Sequence, residues 1–138
     1  MSDSFSQTIG NTLTSLPPLT TAVNRFLDQH AVPSEALFRV NLAIEETVTN
    51  IIKYGYDDND PHAITVNLAL FPDIIRVQLQ DDGHPFDPLQ TPEPDLHGSL
   101  DQRKVGGLGL HLVRATVSRI AYRRENGVNI LEMDITRQ

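Results

Sequence analysis

Ser34-Glu-Ala-Leu-Phe-Arg-Val-Asn-Leu-Ala-Ile-Glu-Glu-Thr-Val-Thr-Asn-Ile-Ile-Lys-Tyr54 is the stretch that decides how the rest of the chain is read. Leu37, Val40, Ile44, Val48 and Ile51 recur at steps of three and four residues, which lays an apolar stripe along one face of a helix. Ser34 is an N-cap candidate with Glu35 in the first turn, and Gly55 is a plausible stop. The opposite side carries Glu46, Asn50 and Lys53, with Glu46 and Asn50 neighbours as an i, i+4 pair. Taken alone, such a face is that of a solvated helix. Thr47, Thr49 and Asn50 are mediocre helix formers, however, where a solvent face would sooner carry Lys, Glu, Gln or Ala.

That face has a chemical use. A carboxamide oxygen is a hard ligand suited to Mg²⁺. A neighbouring carboxylate can take a proton from a hydroxyl or water attacking a phosphate.

Working outward, residues 4–14 alternate weakly and read as an edge strand, after which Pro17-Pro18 breaks the chain. Leu19, Val23, Phe26 and Leu27 predict a first helix that ends between His30 and Pro33. Beyond the long helix, Ile64, Val66, Leu68 and Leu70 alternate with polar or small residues, as do Ile75, Val77 and Leu79. Phe71-Pro72-Asp73 joins these two runs as a hairpin. Residues 82–105 are rich in Pro, Gly, Asp and His and read as a long loop, a feature that is often functional in a compact domain. Gly106-Gly-Leu-Gly109 leads into a third helix, and strands near 119–125 and 128–136 close on Asn126-Gly127, a strong hairpin signal. The expected fold is an α+β two-layer sandwich: a mixed, largely antiparallel sheet of about five strands with helices on one face.

Two further segments have chemical potential. Asp81-Asp-Gly-His-Pro-Phe-Asp87 follows directly on a strand, so Asp81 can aim an oxygen at an amino group such as that of adenine. Gly83 removes a side chain where a flat base would approach. A plain Asp-Gly turn has the same spelling. Gly106, Gly107 and Gly109 precede an apolar-periodic helix, where free N–H groups bind phosphate. Arg103, Lys104 and Arg114 are placed to neutralise part of a triphosphate. A tight turn or flexible lid would also use such glycines. The run is neither a dinucleotide fingerprint nor a Walker A loop.

Composition bounds the remaining classes. The 138 residues fit one domain, 1–138, and 39% apolar with 21% charged residues is an ordinary folded composition. A formal charge of −7 argues against direct nucleic-acid binding. The absence of cysteine excludes disulfides and thiol chemistry. The five histidines lack zinc spacing, Asp57-Asp58-Asn59-Asp60 has His62 where a calcium loop needs Gly, and no serine lies in Gly-x-Ser-x-Gly. No signal peptide or spanning segment is visible, so the expected location is the cytoplasm.

Glu46-Thr-Val-Thr-Asn50 on a helix, Asp81-Asp-Gly83 after a strand and Gly107-Leu108-Gly109-Leu110 opening a helix occur in the order seen in the GHKL ATPases. The chain resembles that superfamily from about residue 5 to 136, with a Bergerat-type ATP-binding fold implied. Its short length is similar to the stand-alone anti-sigma-factor serine/threonine kinases of bacterial partner-switching systems. The resemblance implies ATP and Mg²⁺ as cofactors, with Glu46 the general base and Asn50 the metal ligand. It implies Asp81 and Gly83 at the adenine and residues 88–105 as an ATP lid. Arg103, Lys104, Gly107, Leu108, Gly109 and Leu110 are implied around the phosphates and the lid hinge. Pro85 stands where many members have a second glycine, and Glu45 precedes the base. The implied partners are a small antagonist protein as phosphoryl acceptor, a sigma factor and a second copy of the chain. An alternative is a nucleotide-dependent binding module that switches partners with little phosphotransfer.

Overall fold

The computed structural model describes residues 3–87 and 107–138. Five strands form one sheet in the order β1 (Ser4–Gly10), β2 (Ala63–Leu70), β3 (Ile74–Asp81), β5 (Val128–Thr136), β4 (Arg119–Glu125). All four ladders are antiparallel, so the sheet contains no parallel pair and is simpler than the mixed arrangement expected. Three helices complete the fold: α1 (Leu16–Gln29), α2 (Ser34–Tyr54) and α3 (Gly107–Thr116).

The period-two alternation of the strands decides which face is inside. Ile64, Val66 and Leu68 of β2, Ile75, Val77 and Leu79 of β3, and Leu131, Met133 and Ile135 of β5 form one buried layer under the helices. Register joins them in rows such as Val66, Leu79 and Leu131. The reverse face is polar. Arg76 donates to both oxygens of Asp134 at 2.8 and 3.1 Å, and Arg119 reaches the same carboxylate at 2.7 Å. These pairs hold Asp134 below the ordinary carboxylate range, with the Arg76 hydrogen bond the largest cause.

Local differences from the sequence reading have physical causes. The N-terminal strand ends at Gly10, and a short 3₁₀ turn, Leu13–Ser15, leads into α1. Pro17 and Pro18 lie within the first turn of α1 rather than before it, because the N–H groups they lack have no intrahelical partner there. Helix α2 is capped by the extended Pro33 without a side-chain hydrogen bond, so Ser34 is its first residue and not its cap. The β4–β5 turn places Asn126 and Gly127 at φ 52° and 79°, the left-handed pair that the Asn-Gly spelling predicts.

Leu79 has no exposed surface and sits in the central strand, whereas Phe38 on α2 is 66% exposed. Leu79→Ala is expected to lower unfolding free energy by about 2–5 kcal/mol. Phe38→Ala should change it by less than about 0.5 kcal/mol. Denaturant midpoints at unchanged slope test both.

Candidate functional site

The end of α2 and the end of β3 meet backbone to backbone. The Gly55 carbonyl accepts the His84 N–H at 2.9 Å. A Cβ on Gly83 would collide with that carbonyl oxygen, and one on Gly55 would stand 2.6 Å from the Ile51 carbonyl. Gly83 is thus a glycine because Gly55 is in the way, a neighbour the sequence did not disclose.

A slot opens beside this junction. Its walls are Thr47, Asn50 and Ile51 of α2, Asp81, His84 and Phe86 from β3 and its following turn, Leu110 of α3, and Tyr122, Asn129 and Leu131 of the hairpin. It is narrow. About 20 Å³ admits the centres of water molecules, within about 410 Å³ of space between atoms that also includes open solvent. A flat ring system would have to widen it.

The polar face of α2 is solvated only in part: Lys53 is exposed and Glu46 half-buried, but the residues toward the slot are covered. Thr47 and Asn50 are 2% and 6% exposed, and α3 packs against α2. Thr47 disposes of its hydroxyl by donating to the Ala43 carbonyl at 2.6 Å. The Asn50 side-chain nitrogen is buried with no hydrogen-bond partner among the described residues. A buried amide left in that state costs about 1–3 kcal/mol unless something outside the chain meets it. One turn away Glu46 is half-buried, while Glu45 is exposed. Gly109 presses on the Glu46 carboxylate so closely that a Cβ there would overlap it. Gly107 and Gly109 lie inside the first turn of α3, which starts at Gly107, rather than ahead of it, and Gly106 lies outside the described residues.

Asp81 forms the opposite wall and is 7% exposed. Its Oδ1 accepts from the Gly83 N–H at 2.9 Å and the Asn129 amide at 3.0 Å. Burial pushes the Asp81 carboxyl above its ordinary value, against the pull of those two hydrogen bonds and of the Arg124 charge. An ionised carboxylate fixed in a tight slot is an acceptor for an N–H donor.

Residues 9–135 match the family described as the histidine kinase-like ATPase domain. The chain belongs to that family. Over 96 residues it is 31% identical to a serine/threonine-protein kinase, BtrW, of Bordetella bronchiseptica, covering 70% of this chain and 68% of that protein. It is 26% identical over 102 residues to a serine-protein kinase, RsbW, of Listeria monocytogenes, covering 70% of this chain and 64% of the relative. The matched region thus spans about two thirds of these relatives. A solved structure of the RsbU and RsbW domains of Rv1364c from Mycobacterium tuberculosis superposes with a TM-score of 0.69 at 17% identity, covering 97% of this chain and 32% of that one. At that identity the likeness shows the fold.

Within this ATPase-family fold, the residues singled out from sequence fall in different places. Asn50, Asp81 and Leu110 line one slot, and Glu46 and Gly109 touch at its α2–α3 edge. Gly83 supports the Asp81 turn from behind. Gly107 opens α3, and the surroundings of Leu108 lie outside the description. Arg103, Lys104 and the 88–105 loop lie outside the described residues. The slot also uses Thr47, Tyr122 and Asn129, which sequence reading missed. A signal existed for Asn129: it is a polar residue in phase with the apolar Leu131, Met133 and Ile135, and pairs in register with Asp81. No described helix is long and apolar enough to cross a membrane.

A second ionic group braces the Asp81 turn from outside. His62 Nε2 lies 2.7 Å from Asp58 and Nδ1 lies 3.0 Å from Asp82, while the ring stacks on Tyr56 at 4.2 Å. With a carboxylate on each nitrogen, the doubly protonated ring is the form that fits. The bond to Asp58 raises His62 above its ordinary 6.5, and the same bond lowers Asp58 below 3.8. A raised folded-state value for His62 means its contribution is complete below 6.5 and is lost as pH rises through the folded value. A lowered value for Asp58 means its contribution is present above 3.8 and is lost on acidification through the folded value. His62→Gln is therefore expected to cost most stability near about pH 5 and progressively less towards about pH 9. Denaturant titration of both proteins across that range tests this; a gap independent of pH would show that the ring is neutral in the folded state.

Proposed function

We propose that this chain binds ATP with Mg²⁺ in the slot between α2, α3 and Asp81, and transfers the γ-phosphoryl group to a serine or threonine of a small antagonist protein. The observation that carries this reading is the buried Asn50 amide, unpartnered at Nδ2 in the same slot as the inward-facing Asp81. Glu46 stands one helical turn from it, and the names of the relatives supply the reaction class.

Asp81 accepts the exocyclic N–H of adenine. The phosphates lie toward the start of α3, whose first N–H groups have no intrahelical partners. Among the described residues no cluster of three or more His, Asp or Glu side chains could hold a metal by itself. The donor set still fits Mg²⁺, which commonly takes one or two protein oxygens and completes its shell with phosphate and water. Asn50 would present Oδ1 to the ion and Nδ2 to a phosphate oxygen. When bound, the ion offsets the charge that develops on the β- and γ-phosphate oxygens.

Glu46 orients the acceptor hydroxyl and takes its proton as the oxygen attacks the γ-phosphorus. The bond from that phosphorus to the bridging oxygen breaks, and ADP leaves with the electron pair. Positioning and electrostatics supply most of the rate in such a transfer. Arg103, Lys104 and the 88–105 loop complete this reading as phosphate neutralisers and lid. The resemblance also carries a sigma factor as second partner, a homodimer and a cytoplasmic location.

Glu46→Gln is expected to lower phosphoryl transfer about 10²–10⁴-fold while leaving Mg·ATP affinity within about threefold. Transfer of ³²P to candidate antagonist proteins, beside calorimetric binding, measures both. Wild-type transfer rates in Glu46→Gln would remove Glu46 from this role. Tight binding without transfer to any candidate would favour a partner-switching binding module instead.

A further inference from the structure

Asn129 ends the inward-facing row of β5 and is 5% exposed. Both ends of its amide are committed. Nδ2 donates to Asp81 Oδ1 at 3.0 Å and to the His84 carbonyl at 2.8 Å, with the Gly83 carbonyl at 3.4 Å. Oδ1 accepts from the Tyr122 hydroxyl at 2.5 Å and Arg124 Nη1 at 2.9 Å. Turning the amide over would set its oxygen against a carboxylate and two carbonyls, and its nitrogen against two donors. The orientation is therefore unique, and it presents a donor to Asp81. Tyr122 and Arg124, both on β4, enforce it from the far side, and Arg124 also ties the Gly83 carbonyl at 3.0 Å.

The proton count on Asp81 decides whether it meets the group at position 6 of a purine as acceptor or as donor. An ionised carboxylate accepts an N–H, as the 6-amino group of adenine offers. A protonated one donates, which suits the 6-oxo group of guanine. Burial favours the proton. Asp82 beside it also favours the proton, and the Arg124 charge opposes it. Tyr56, packed nearby after α2, is itself pushed up by burial and by the Asp81 and Asp82 charges, so it stays a neutral phenol. The residues that α2 and α3 place in the slot are uncharged, Thr47, Asn50, Ile51 and Leu110, with the Glu46 side chain at the α2–α3 edge and His84 of the turn after β3 on the wall. The Asn129 amide is the largest influence holding Asp81 in the accepting state.

We propose that Asn129, oriented by Tyr122 and Arg124, is the positioning residue that keeps Asp81 an aimed acceptor and thereby selects a 6-aminopurine over a 6-oxopurine. This rests on the reading that Asp81 meets a purine base. Asn129→Leu keeps the volume and removes every hydrogen bond; Tyr122→Phe keeps Asn129 and removes one of the two donors that orient it.

Two measurements on the full chain separate the proposal from the reading beneath it. The first is the ¹³C titration of the Asp81 carboxyl in protein without nucleotide. Its midpoint is expected to rise by about one pH unit or more in Asn129→Leu, and by less but in the same direction in Tyr122→Phe. The second is affinity for Mg·ATP and Mg·GTP across pH. The low-pH loss of ATP binding should move up with the Asp81 midpoint, and the ATP-over-GTP preference should fall about tenfold below it. If Asn129→Leu does not fold, Tyr122→Phe carries both readouts. Unmoved midpoints with a uniform loss of affinity and an unchanged purine ratio would overturn the proposal, leaving Asn129 a packing residue. Shifted midpoints in the variants, together with a wild-type protein that binds neither nucleotide, would overturn the nucleotide reading and, with it, the purine selection.

Discussion

The contact on which the rest of the site depends is between two backbones. The carbonyl of Gly55 ends α2, and the turn after β3 lies directly on it, with the His84 N–H bonded to it at 2.9 Å and no room for a side chain on Gly83. That closure joins the α2 side of the slot to the β3 side. It brings the last turns of α2, with Thr47, Asn50 and Ile51, alongside the inward end of β3. It sets the Asp81 carboxylate across from the Asn50 amide instead of leaving each at the end of a separate element. Any residue larger than glycine at position 83 would push strand and helix apart, and the two polar walls with them. The carbonyl of Gly55 is also satisfied in this way, as a buried main-chain acceptor must be.

Around that junction the molecule tolerates polar groups in its interior under unequal terms. Asp81, Asn129, Tyr122 and Arg124 form a connected network in which the amide of Asn129 is used at both ends. Asp134 on the open face is gripped by two arginines. Asn50 differs from both, because its buried amide nitrogen meets no partner among the described residues. Connected networks rigidify what they join, whereas an unpartnered buried donor remains a standing cost in the absence of a ligand. The slot thus has a fixed wall and an unsatisfied wall. A ligand bridging them would bring to Asn50 the hydrogen bond that the fold withholds.

How much of this was legible in the residues depended on how far each feature reaches along the chain. Alternation in β2 and β3, the α2 stripe and the Asn126-Gly127 turn are local, and the strands and helices stand close to where those patterns put them. The fate of Thr47 and Asn50 is not local. On a helical wheel Asn50 lies off the apolar stripe and Thr47 at its edge, and the groups gathered round them, among them Asp81, Leu110, Tyr122 and Asn129, come from far along the sequence. Asp81 and Asn129 are 48 residues apart and meet because antiparallel register places them opposite one another at the end of adjacent strands. Pro17 and Pro18 were legible as a break but not as a helix start, since the same residue serves both purposes. Gly83 was read as the place where a flat base approaches, whereas the group that lies against it in the structure is the Gly55 carbonyl, a backbone group from another element.

An acidic chain that holds a polyanion needs its attraction to be local. At physiological ionic strength the screening length is about 8 Å, so the overall charge of −7 acts weakly compared with the groups that touch a ligand. Directly at the slot, Arg124 is already engaged with Asn129 and the Gly83 carbonyl, which makes it a support for the Asp81 wall. At the α2–α3 edge the Glu46 carboxylate adds a negative charge where the phosphates would lie, pressed against Gly109. In the proposed reaction a bound Mg²⁺ would offset the repulsion between that carboxylate and a phosphoryl group as well as the charge of ATP itself. The same carboxylate would accept the proton of the incoming hydroxyl in that reaction, so the group that opposes a phosphate would also be the one that assists its transfer.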